Sequence, residues 1–413
     1  MRDSRREEAL QPDALKGVKV VDFTWVIAGP TVTRLLAAHG ATVVKVESSR
    51  RPDMFRAYVP MAEGVPGVNR CFTFDAYNSG KYSMTINVKT PQGLELANKL
   101  VRWADIVIES FAPGAMSAMG MSYEELKRTK SDIIMVSLSL LGQTGPDSSR
   151  AGFGTELQSF AGYTNLIHWP DREPSGTGLF YTDFIVPWYV ICAIIAALEY
   201  RQHTGKGQWI DISQIEAGAE LLAVPILDYM ANSRIAAPSG NRCQCAAPHG
   251  AYRCQENDRW CAIAVFTNQE WQLFTNAIGD PAWAKEARFT TSLGRKQHED
   301  ELDKLIEAWT TNYPAEVIMS KIQAAGVAAG IVANGKDIHN DPQLKHRGHF
   351  KLLNHKEIGL HSYELPSWRL SKTPADIRMP SPCLGEHTHY VATEILGISD
   401  TEFIELMQAK VLE

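Results

Sequence analysis

Asp183 is the only charged residue in the twenty-residue stretch LFYTDFIVPWYVICAIIAAL, which runs from Leu179 to Leu198. An ionised carboxylate is costly to bury alone, so it must be solvated, paired or used in a reaction. An Asp that directly precedes a long apolar helix is a good N-cap, because its oxygen accepts hydrogen bonds from the first free N–H groups. The helix N-terminus would also keep the carboxylate ionised, and an ionised, water-shielded carboxylate is a competent nucleophile. The residues alone leave capping and catalysis open.

A second candidate is the turn WVIAGP, which follows a predicted strand and opens a predicted helix at Trp25–Pro30. Such a turn presents free backbone N–H groups and the positive end of the helix dipole, which suits a phosphate or a carboxylate. The turn lacks the GxGxxG fingerprint of dinucleotide sites, and Glu47 at the end of the next strand is weak support alone. An ordinary βαβ crossover is the alternative interpretation.

The other reactive side chains form no recognisable site. There is no GxSxG motif for a Ser-His-Asp hydrolase, and the histidines are not spaced as metal ligands. The seven cysteines are an odd number for a disulfide framework and are compatible with a reducing compartment. Those that cluster lack the spacing of paired CxxC zinc sites, so we predict no metal: they are Cys243, Cys245, Cys254 and Cys261.

Length and charge exclude several classes of protein. A chain of 413 residues favours two domains, and a net charge near −6 without long runs of one sign argues against nucleic acid or an anionic membrane as the main partner. The N-terminal MRDSRREEALQPD lacks the apolar core of a secretory signal, so we expect a disordered or surface lead-in and a cytoplasmic protein. The uncharged run Phe184–Leu198 contains Pro187 and is fifteen residues long, shorter than the ~20 of a membrane span, which favours a buried core helix.

The first 230 residues alternate between strand-like and helix-like segments. Val18–Thr24 and Ala41–Glu47 read as buried strands around a helix with Pro30 near its start and Gly40 past its end, which is a βαβ unit. The alternation predicts an α/β domain with a mostly parallel sheet covered by helices on both faces. The further segments of this pattern are a helix at about Thr90–Trp103, the strand ADIVIES, the helix SYEELKR, the strand IIMVSLS, the apolar helix after Asp183, the strand WIDISQ and a helix at about Ile215–Met230.

The pattern changes after the Gly-, Pro- and Ala-rich segment SRIAAPSGNRCQCAAPHG. GAYRCQENDRWCAIAVF predicts a hairpin, and helices follow at NQEWQLFTNAIG and HEDELDKLIEAWTTN, so we expect a smaller α+β domain. The predicted organisation is a large domain over 1–230, a linker over 231–240, the small domain over 241–335 and a return linker over 336–384, with about 385–413 rejoining the large domain.

Long motifs in a fixed order carry a family resemblance. They include LKGVKVVDFTWVIAGPTVTRLLAAHGATVVKVE, NSGKYSMTINVKTPQG, ADIVIESFAPGAMSAMGMSYEELK, HTGKGQWIDISQIEA and LGEHTHYV. Across nearly its whole length the chain resembles the class III CoA-transferases, the family of formyl-CoA transferase and carnitine CoA-transferase. The resemblance implies a large Rossmann-like parallel-sheet domain, a smaller α+β domain, and long linkers that thread into an interlocked dimer, either with a second copy or with a related subunit.

By the same resemblance, the family's catalytic aspartate falls on Asp183. Ile27 and Ala28 fall on the turn that meets the CoA thioester, and Lys89 is the cation we expect near a CoA phosphate. No tightly bound cofactor is implied, because the CoA thioester is a substrate. The implied CoA contacts are Ile27, Ala28, Asn87, Lys89, Ser110, Phe111 and Ala112.

Three positions depart from the family's pattern. Ser48 and Ala118 stand where many members have arginines, so Arg50, Arg51 or Arg150 would have to hold the CoA phosphates instead.

The third departure is Gly154, which stands at the family's acidic GYD position, with Glu156 two residues on. The acceptor acid is therefore expected to be held differently from oxalate-like substrates.

The implied reaction moves CoA from an acyl-CoA to a free carboxylic acid. Asp183 would form an acyl anhydride, then an aspartyl-CoA thioester, then a second anhydride with the acceptor, while the Ile27 and Ala28 amides stabilise the oxyanions. An α-methylacyl-CoA racemase is one alternative, although such racemases carry a histidine where this chain has Phe153. A mainly structural subunit of a heteromeric transferase and a dinucleotide dehydrogenase are the others.

Second-domain motifs suggest the substrates. GNRCQCAAPHGAYRC, RWCAIAVFTNQEW and DPQLKHRGHF resemble the benzylsuccinate CoA-transferase branch, which uses succinyl-CoA. We therefore hypothesise a succinyl-CoA donor and an aromatic dicarboxylate acceptor, with core packing as the alternative role for the aromatic side chains near Asp183. Those side chains are Trp169, Phe180, Tyr181, Trp188 and Tyr189.

Overall fold

The structure, a computed structural model, describes residues 13–413 and divides into two compact units. The first comprises the described residues up to Gly162 together with Thr177–Ala231 and Pro342–Glu413; the second comprises Tyr163–Gly176 and Asn232–Asp341. All but the last residue of the predicted N-terminal lead-in lies outside the described residues.

The strands of the described chain are β1 Lys19–Phe23, β2 Thr42–Glu47, β3 Tyr82–Thr85, β4 Ile106–Glu109, β5 Ile134–Ser139, β6 Trp209–Ser213, β7 His249–Arg253, β8 Trp260–Ala264, β9 Ala328–Ile331, β10 Phe350–His355 and β11 Gly359–Glu364. The α-helices are α1 Ala28–Ala38, α2 Phe72–Asn78, α3 Pro91–Trp103, α4 Ala115–Ala118, α5 Tyr123–Thr129, α6 Gly154–Phe160, α7 Tyr163–Leu166, α8 Tyr181–Thr204, α9 Gln214–Glu220, α10 Ala223–Asn232, α11 Asn268–Ala277, α12 Ser292–Gln297, α13 Glu299–Thr310, α14 Ala315–Ala324, α15 Gly335–Asn340, α16 Pro342–His346, α17 Thr388–Tyr390 and α18 Asp400–Gln408.

The first unit is built on a six-stranded parallel sheet in the order β3-β2-β1-β4-β5-β6. Neighbouring residues of β1 point to opposite faces, so Val20 joins the core beneath α1 and α8, while Val21 joins the core beneath α3. Burial on both faces explains why β1 carries apolar side chains on both sides, Val20 on one and Val21 on the other. The predicted Rossmann-like α/β fold with a smaller α+β domain is confirmed. The strand order reverses between β1 and β4, which is where open α/β sheets bind ligands.

The apolar stretch forms α8, a helix of 24 residues that ends at Gly205, a glycine with φ +70°. It includes the whole uncharged run Phe184–Leu198, and its length and composition would allow it to cross a membrane; the core helix of a soluble protein meets the same criterion. Val186, Val190 and Ile194 are fully buried against the sheet. One face of α8 therefore covers the parallel sheet.

Two sequence predictions in the first unit need correction. The single helix expected at Ile215–Met230 is two helices, because α9 ends at Glu220 and α10 starts at Ala223. The predicted return linker contains the β10–β11 hairpin, which packs on the first unit through Asp75. The Asp75 carboxylate accepts a hydrogen bond from Tyr363 Oη at 2.6 Å and lies 2.6 Å from His361 Nε2.

The second unit has an antiparallel sheet in the order β7-β8-β9, and its first two strands are the predicted hairpin. Helices α11, α13 and α14 pack their apolar faces on this sheet. Within this core Arg295 is fully buried, and its Nε donates to the carbonyl of Ala247 at 2.8 Å. Residues 163–176, which sequence analysis assigned to the large domain, group with this unit.

Candidate active site

The WVIAGP turn lies where β1 and β4 run side by side, with Phe23 paired in register with Glu109. The Trp25 N–H donates to Ser110 Oγ at 2.9 Å, which links the turn to the segment after β4. Val26 has φ +73°, a left-handed conformation that is rare for a β-branched residue. The turn is therefore held in an uncommon shape between the two central strands.

A buried carboxylate supports this shape. Asp53 accepts hydrogen bonds from the Val26 N–H at 3.3 Å and from Lys45 Nζ at 3.3 Å, and Lys45 Nζ also donates to the Thr24 carbonyl at 2.7 Å. Both charged side chains are fully buried. Asp53 holds the backbone after Trp25 and Lys45 holds the backbone before it. Neither side chain can move away without leaving a buried charge unpaired, so the pair fixes the turn on both sides of Trp25.

The turn opens α1 with unused hydrogen-bond donors. Within residues 13–413, the backbone N–H groups of Ile27, Ala28 and Gly29 have no hydrogen-bond acceptor. They belong to the first turn of α1, so they add to the positive end of its dipole. This arrangement suits a negative charge in front of Ile27 and Ala28.

A cavity of about 680 Å³ lies in front of the turn and is walled by residues of the first unit alone. The cavity brings together most of the residues that the family resemblance implied. Of the implied set it includes Ile27, Ala28, Ser110, Phe111, Ala112 and Asp183. It is also lined by Trp25, Arg51, Phe55, Tyr58, Ser139, Arg150, Phe153, Gly154, Glu156, Phe180 and Gln214.

Asp183 is the third residue of α8 and lies at the wall of this cavity with 7% of its surface exposed. Phe180 occupies the N-cap position, and the Asp183 carboxylate accepts no hydrogen bond from the described residues. The capping interpretation is therefore wrong. The helix N-terminus also does not hold the carboxylate fully ionised at neutral pH, because burial raises the pKa of Asp183 to about 7 and no cation or donor offsets it.

The residue that faces this carboxylate is Gly154, the first residue of α6. A Cβ atom placed on Gly154 would lie 2.4 Å from Asp183 Oδ2 and 2.7 Å from Phe180 Cβ. No other residue type fits this position without a shift of its neighbours. Glu156, from the same helix, turns back to accept the N–H of Phe153 at 3.1 Å.

Two implied CoA contacts lie outside the cavity lining. Asn87 is buried, and its Oδ1 accepts the Lys89 N–H at 3.3 Å, so it shapes the turn that precedes α3. Lys89 is exposed on that turn.

The candidate replacements for the missing arginines differ in their partners. Arg50 pairs with Glu413, with 2.9 Å between Nε and Oε1, and Arg150 pairs with Asp147, with 2.8 Å between Nη2 and Oδ1. Arg51 lines the cavity with its guanidinium 5.3 Å from the centre of the Trp25 ring, and no described carboxylate forms an ion pair with it.

The two positions that lack the family's arginines do not face the cavity with a free side chain. The Ser48 hydroxyl donates to Glu413 Oε2 at 2.8 Å. Ala118 is the last residue of α4 and does not line the cavity.

Of the five aromatic residues predicted near Asp183, only Phe180 lines the cavity. Trp188 packs instead against Trp368, with 5.5 Å between ring centres. Ser139 and Gln214 also line the cavity but are absent from the predicted site residues. They lie at the carboxyl ends of two correctly predicted strands. Their position at the strand ends could have identified them from the sequence, since ligands of open α/β sheets bind beyond the carboxyl ends of the strands.

No group of His, Cys, Asp and Glu that could hold a metal ion occurs in the part of the chain that the structure describes. The cavity places a buried carboxylate and free backbone N–H groups in the same lining. Such a pair can attack a carbonyl carbon and stabilise the resulting oxyanion.

Comparison with known proteins places this geometry in context. Residues 15–388 match the family model described as CoA-transferase family III. The succinyl-CoA–D-citramalate CoA-transferase of Chloroflexus aurantiacus is 31% identical over 399 residues, which are 97% of this chain and 98% of that one. The succinyl-CoA:glutarate CoA-transferase of Mus musculus is 29% identical over 400 residues, with 97% and 90% covered. The crystal structure of a CAIB/BAIF family protein from Brucella suis superposes with a TM-score of 0.85 at 31% identity, covering 93% of this chain and 100% of that chain.

Proposed function

The chain belongs to CoA-transferase family III and is a CoA-transferase; from this premise we propose that it moves CoA from succinyl-CoA to a free carboxylic acid, with Asp183 as the nucleophile. The observation that carries the proposal is the buried Asp183 carboxylate on the wall of the same cavity as the free N–H groups of Ile27 and Ala28. The proposed location is the cytoplasm.

The substrates are proposed from the relatives. Both curated relatives are named for succinyl-CoA and for an acceptor with two carboxyl groups, so we propose a dicarboxylic acceptor here as well. The hypothesis of an aromatic acceptor loses the support of Trp169, Tyr181, Trp188 and Tyr189, since none of them lines the cavity.

The proposed reaction conserves the energy of the thioester through covalent intermediates. The Asp183 carboxylate attacks the succinyl carbonyl carbon, the carbon–sulfur bond breaks, and CoA thiolate leaves an aspartyl succinyl anhydride. The thiolate attacks the aspartyl carbonyl carbon of this anhydride, which releases succinate and leaves an aspartyl-CoA thioester. The acceptor carboxylate then displaces the thiolate to form a second anhydride, and the thiolate attacks the acceptor's acyl carbon to give the new acyl-CoA and free Asp183.

The side chains and backbone around Asp183 support these steps physically. Each attack places negative charge on a carbonyl oxygen, which the N–H groups of Ile27 and Ala28 would stabilise. Burial of Asp183 raises its pKa to about 7, and burial also limits hydrolysis of the anhydrides.

The decisive experiment traps the covalent intermediate. The protein is incubated with succinyl-CoA, quenched with hydroxylamine, and digested for mass spectrometry; we expect a hydroxamate on the peptide that contains Asp183. Glu109 is an internal control, since it is also buried with its pKa raised to about 7 by burial but does not line the cavity. A hydroxamate on Glu109, or full transferase activity in Asp183→Asn, would reject the assignment.

We further propose that a second copy of the chain covers α10 in an intertwined dimer. Helix α10 has no buried residue, and Val224, Leu227 and Met230 are 78%, 60% and 74% exposed. An apolar helix surface of this kind marks an interaction site.

Light scattering after size exclusion should give the mass of a dimer. Leu227→Glu with Met230→Glu should weaken that dimer, whereas Glu124→Gln on exposed α5 should leave it intact. A monomeric wild-type protein, or one that dimerises only with a related subunit, would contradict the homodimer.

A further inference from the structure

Two polar side chains of the cavity wall have no role in the reaction above. Ser139 is the last residue of β5, and Gln214 directly follows Ser213, the last residue of β6. The two strands are parallel neighbours, and Ser139 pairs in register with Ser213. Ser139 and Gln214 therefore extend from adjacent strand ends, and both line the Asp183 cavity.

Both side chains are buried without the partners that buried polar groups require. Ser139 is 6% exposed and Gln214 is 5% exposed. Neither Ser139 Oγ nor Gln214 Oε1 makes a hydrogen bond with any residue from 13 to 413. Because leaving a buried polar group unpaired is costly, such a pair on a ligand cavity indicates that the ligand supplies the missing partner.

The chemistry of the pair selects the partner. A carbonyl-type oxygen such as Gln214 Oε1 needs a hydrogen-bond donor, and the Ser139 hydroxyl can both donate and accept. Neither side chain carries a charge. With the Gln214 amide in the orientation of the structure, an alcohol group satisfies both side chains, since it donates to Gln214 Oε1 and accepts from the Ser139 hydroxyl, whereas a carboxylate would satisfy only Ser139.

The position of the pair assigns it to the acid and not to the CoA arm. The implied CoA contacts on the cavity follow β1 and β4, at the reversal of strand order, while Ser139 and Gln214 follow β5 and β6 on one side of it. We propose that Ser139 and Gln214 form a subsite for a hydroxyl group on the carbon chain of the acceptor acid, so that the enzyme serves hydroxylated dicarboxylic acids. This inference rests on the proposed CoA transfer.

The test compares acids that differ only in the hydroxyl group. With succinyl-CoA as donor, kcat/KM is measured for glutarate against 2-hydroxyglutarate and 3-hydroxyglutarate, and for 2-methylsuccinate against citramalate. The wild type should prefer at least one hydroxylated acid more than tenfold, since a site that hydrogen-bonds a substrate hydroxyl discriminates strongly against the analogue without it. Gln214→Met and Ser139→Ala should each reduce that preference about tenfold, because kcat/KM falls more for the hydroxylated acid than for the acid without the hydroxyl.

Three results would overturn the subsite. The first is an equal kcat/KM for all acids in the wild type, and the second is an equal loss of kcat/KM for every acid in the variants. The third is a rise in the variants of the KM for succinyl-CoA alone, which would assign the pair to the CoA arm. Thermal unfolding of each variant confirms that it is folded.

A binding measurement separates this inference from the proposed function. Saturation-transfer NMR on Asp183→Asn, which cannot turn over by the proposed mechanism, should detect the preferred hydroxylated acid in the presence of CoA, and Gln214→Met should abolish the signal. Loss of transferase activity in all assays together with selective binding would reject the proposed reaction and keep the subsite. Absence of selective binding would reject the subsite.

Discussion

The Cα of Gly154 faces the Asp183 carboxylate so closely that a Cβ atom would lie 2.4 Å from Oδ2. The same Cβ would lie 2.7 Å from Phe180 Cβ, which is close to the backbone and cannot move aside as a flexible side-chain end would. The absence of a side chain at Gly154 is therefore part of the geometry of the carboxylate. An acid at this position, as in the family pattern, requires a different arrangement of the surrounding residues.

We expect Gly154→Ala to lower kcat/KM at least tenfold, which corresponds to about 1.4 kcal/mol, because the new methyl group displaces the carboxylate or the first turn of α8. Gly152→Ala is the matched control, since its Cβ would meet only Leu140 Cδ1 at 3.5 Å and Glu156 Cβ at 3.7 Å. Steady-state kinetics and a thermal melt of both variants check this prediction. Equal activities of the two variants would contradict it.

The β10–β11 hairpin makes the stability of the first unit depend on pH. The hydrogen bond with Asp75 is the largest influence on His361 and raises its pKa; burial opposes this rise, and the coulombic attraction of the same carboxylate adds to it. A histidine whose pKa is raised on folding stabilises the fold fully below its unfolded pKa of ~6.5, and this contribution disappears as the pH rises through the folded value.

His361→Gln should therefore cost about 1 kcal/mol at pH 6 and clearly less at pH 9. Urea unfolding of the wild type and the variant at both values measures the difference. His355→Gln serves as a comparison, because burial lowers the pKa of His355 and the protonated form contributes nothing favourable. A cost for His361→Gln that does not change with pH would mean that the side chain acts through packing alone.

Sequence patterns located the strands well and the environment of the site poorly. The segments around Val20 and Val43 are rich in β-branched residues because both faces of the sheet are covered, and β1 and β2 lie within a residue or two of their predicted bounds. The sequence pattern predicts a linker where the β10–β11 hairpin lies, because its strands mix polar and apolar side chains. Its buried Tyr363 donates to Asp75 and also packs in an apolar cluster with Ala38 and Ile377.

The errors at Asp183 have one physical cause. Its pKa depends on how closely Gly154 and Phe180 pack around it and on the absence of a nearby cation, and neither follows from the spacing within LFYTDF. The left-handed Val26 was equally unpredictable, because the contact with Asp53 that holds it is made 27 residues along the chain.

Arg51 is the arginine we expect to contact the CoA phosphates. It lines the cavity beside Trp25, while Arg50 is engaged with Glu413. Arg51→Gln should raise the KM for succinyl-CoA about tenfold, with kcat and the KM for the acceptor unchanged, and Arg50→Gln should have a smaller effect. If Arg51 binds the 3′-phosphate, the difference in KM between the wild type and Arg51→Gln should be smaller when the donor is dephospho-succinyl-CoA. Equal effects of the two substitutions would reject this assignment.

The raised pKa of Asp183 makes a prediction about the pH dependence of catalysis. A carboxyl group must be ionised to attack, so kcat/KM should rise with pH and level off above a value near 7, where burial has placed the pKa of Asp183. Succinyl-CoA has no free thiol that titrates in this range, but its 3′-phosphate has a second pKa of about 6, so the profile is measured with the dephospho donor as well. A limb that stays near 7 with both donors reports on the enzyme.

Glu109 is the one confounding group we would test first, because burial raises its pKa to about 7 as well. Its carboxylate accepts the Phe111 N–H at 2.8 Å, so Glu109→Gln can weaken CoA binding and lower the whole profile. It should leave the position of the rising limb where it is, since the attacking group is Asp183. A rising limb that disappears in Glu109→Gln would assign the titration to Glu109, which holds the CoA-binding segment through Phe111. Asp183 would then be ionised throughout the neutral range.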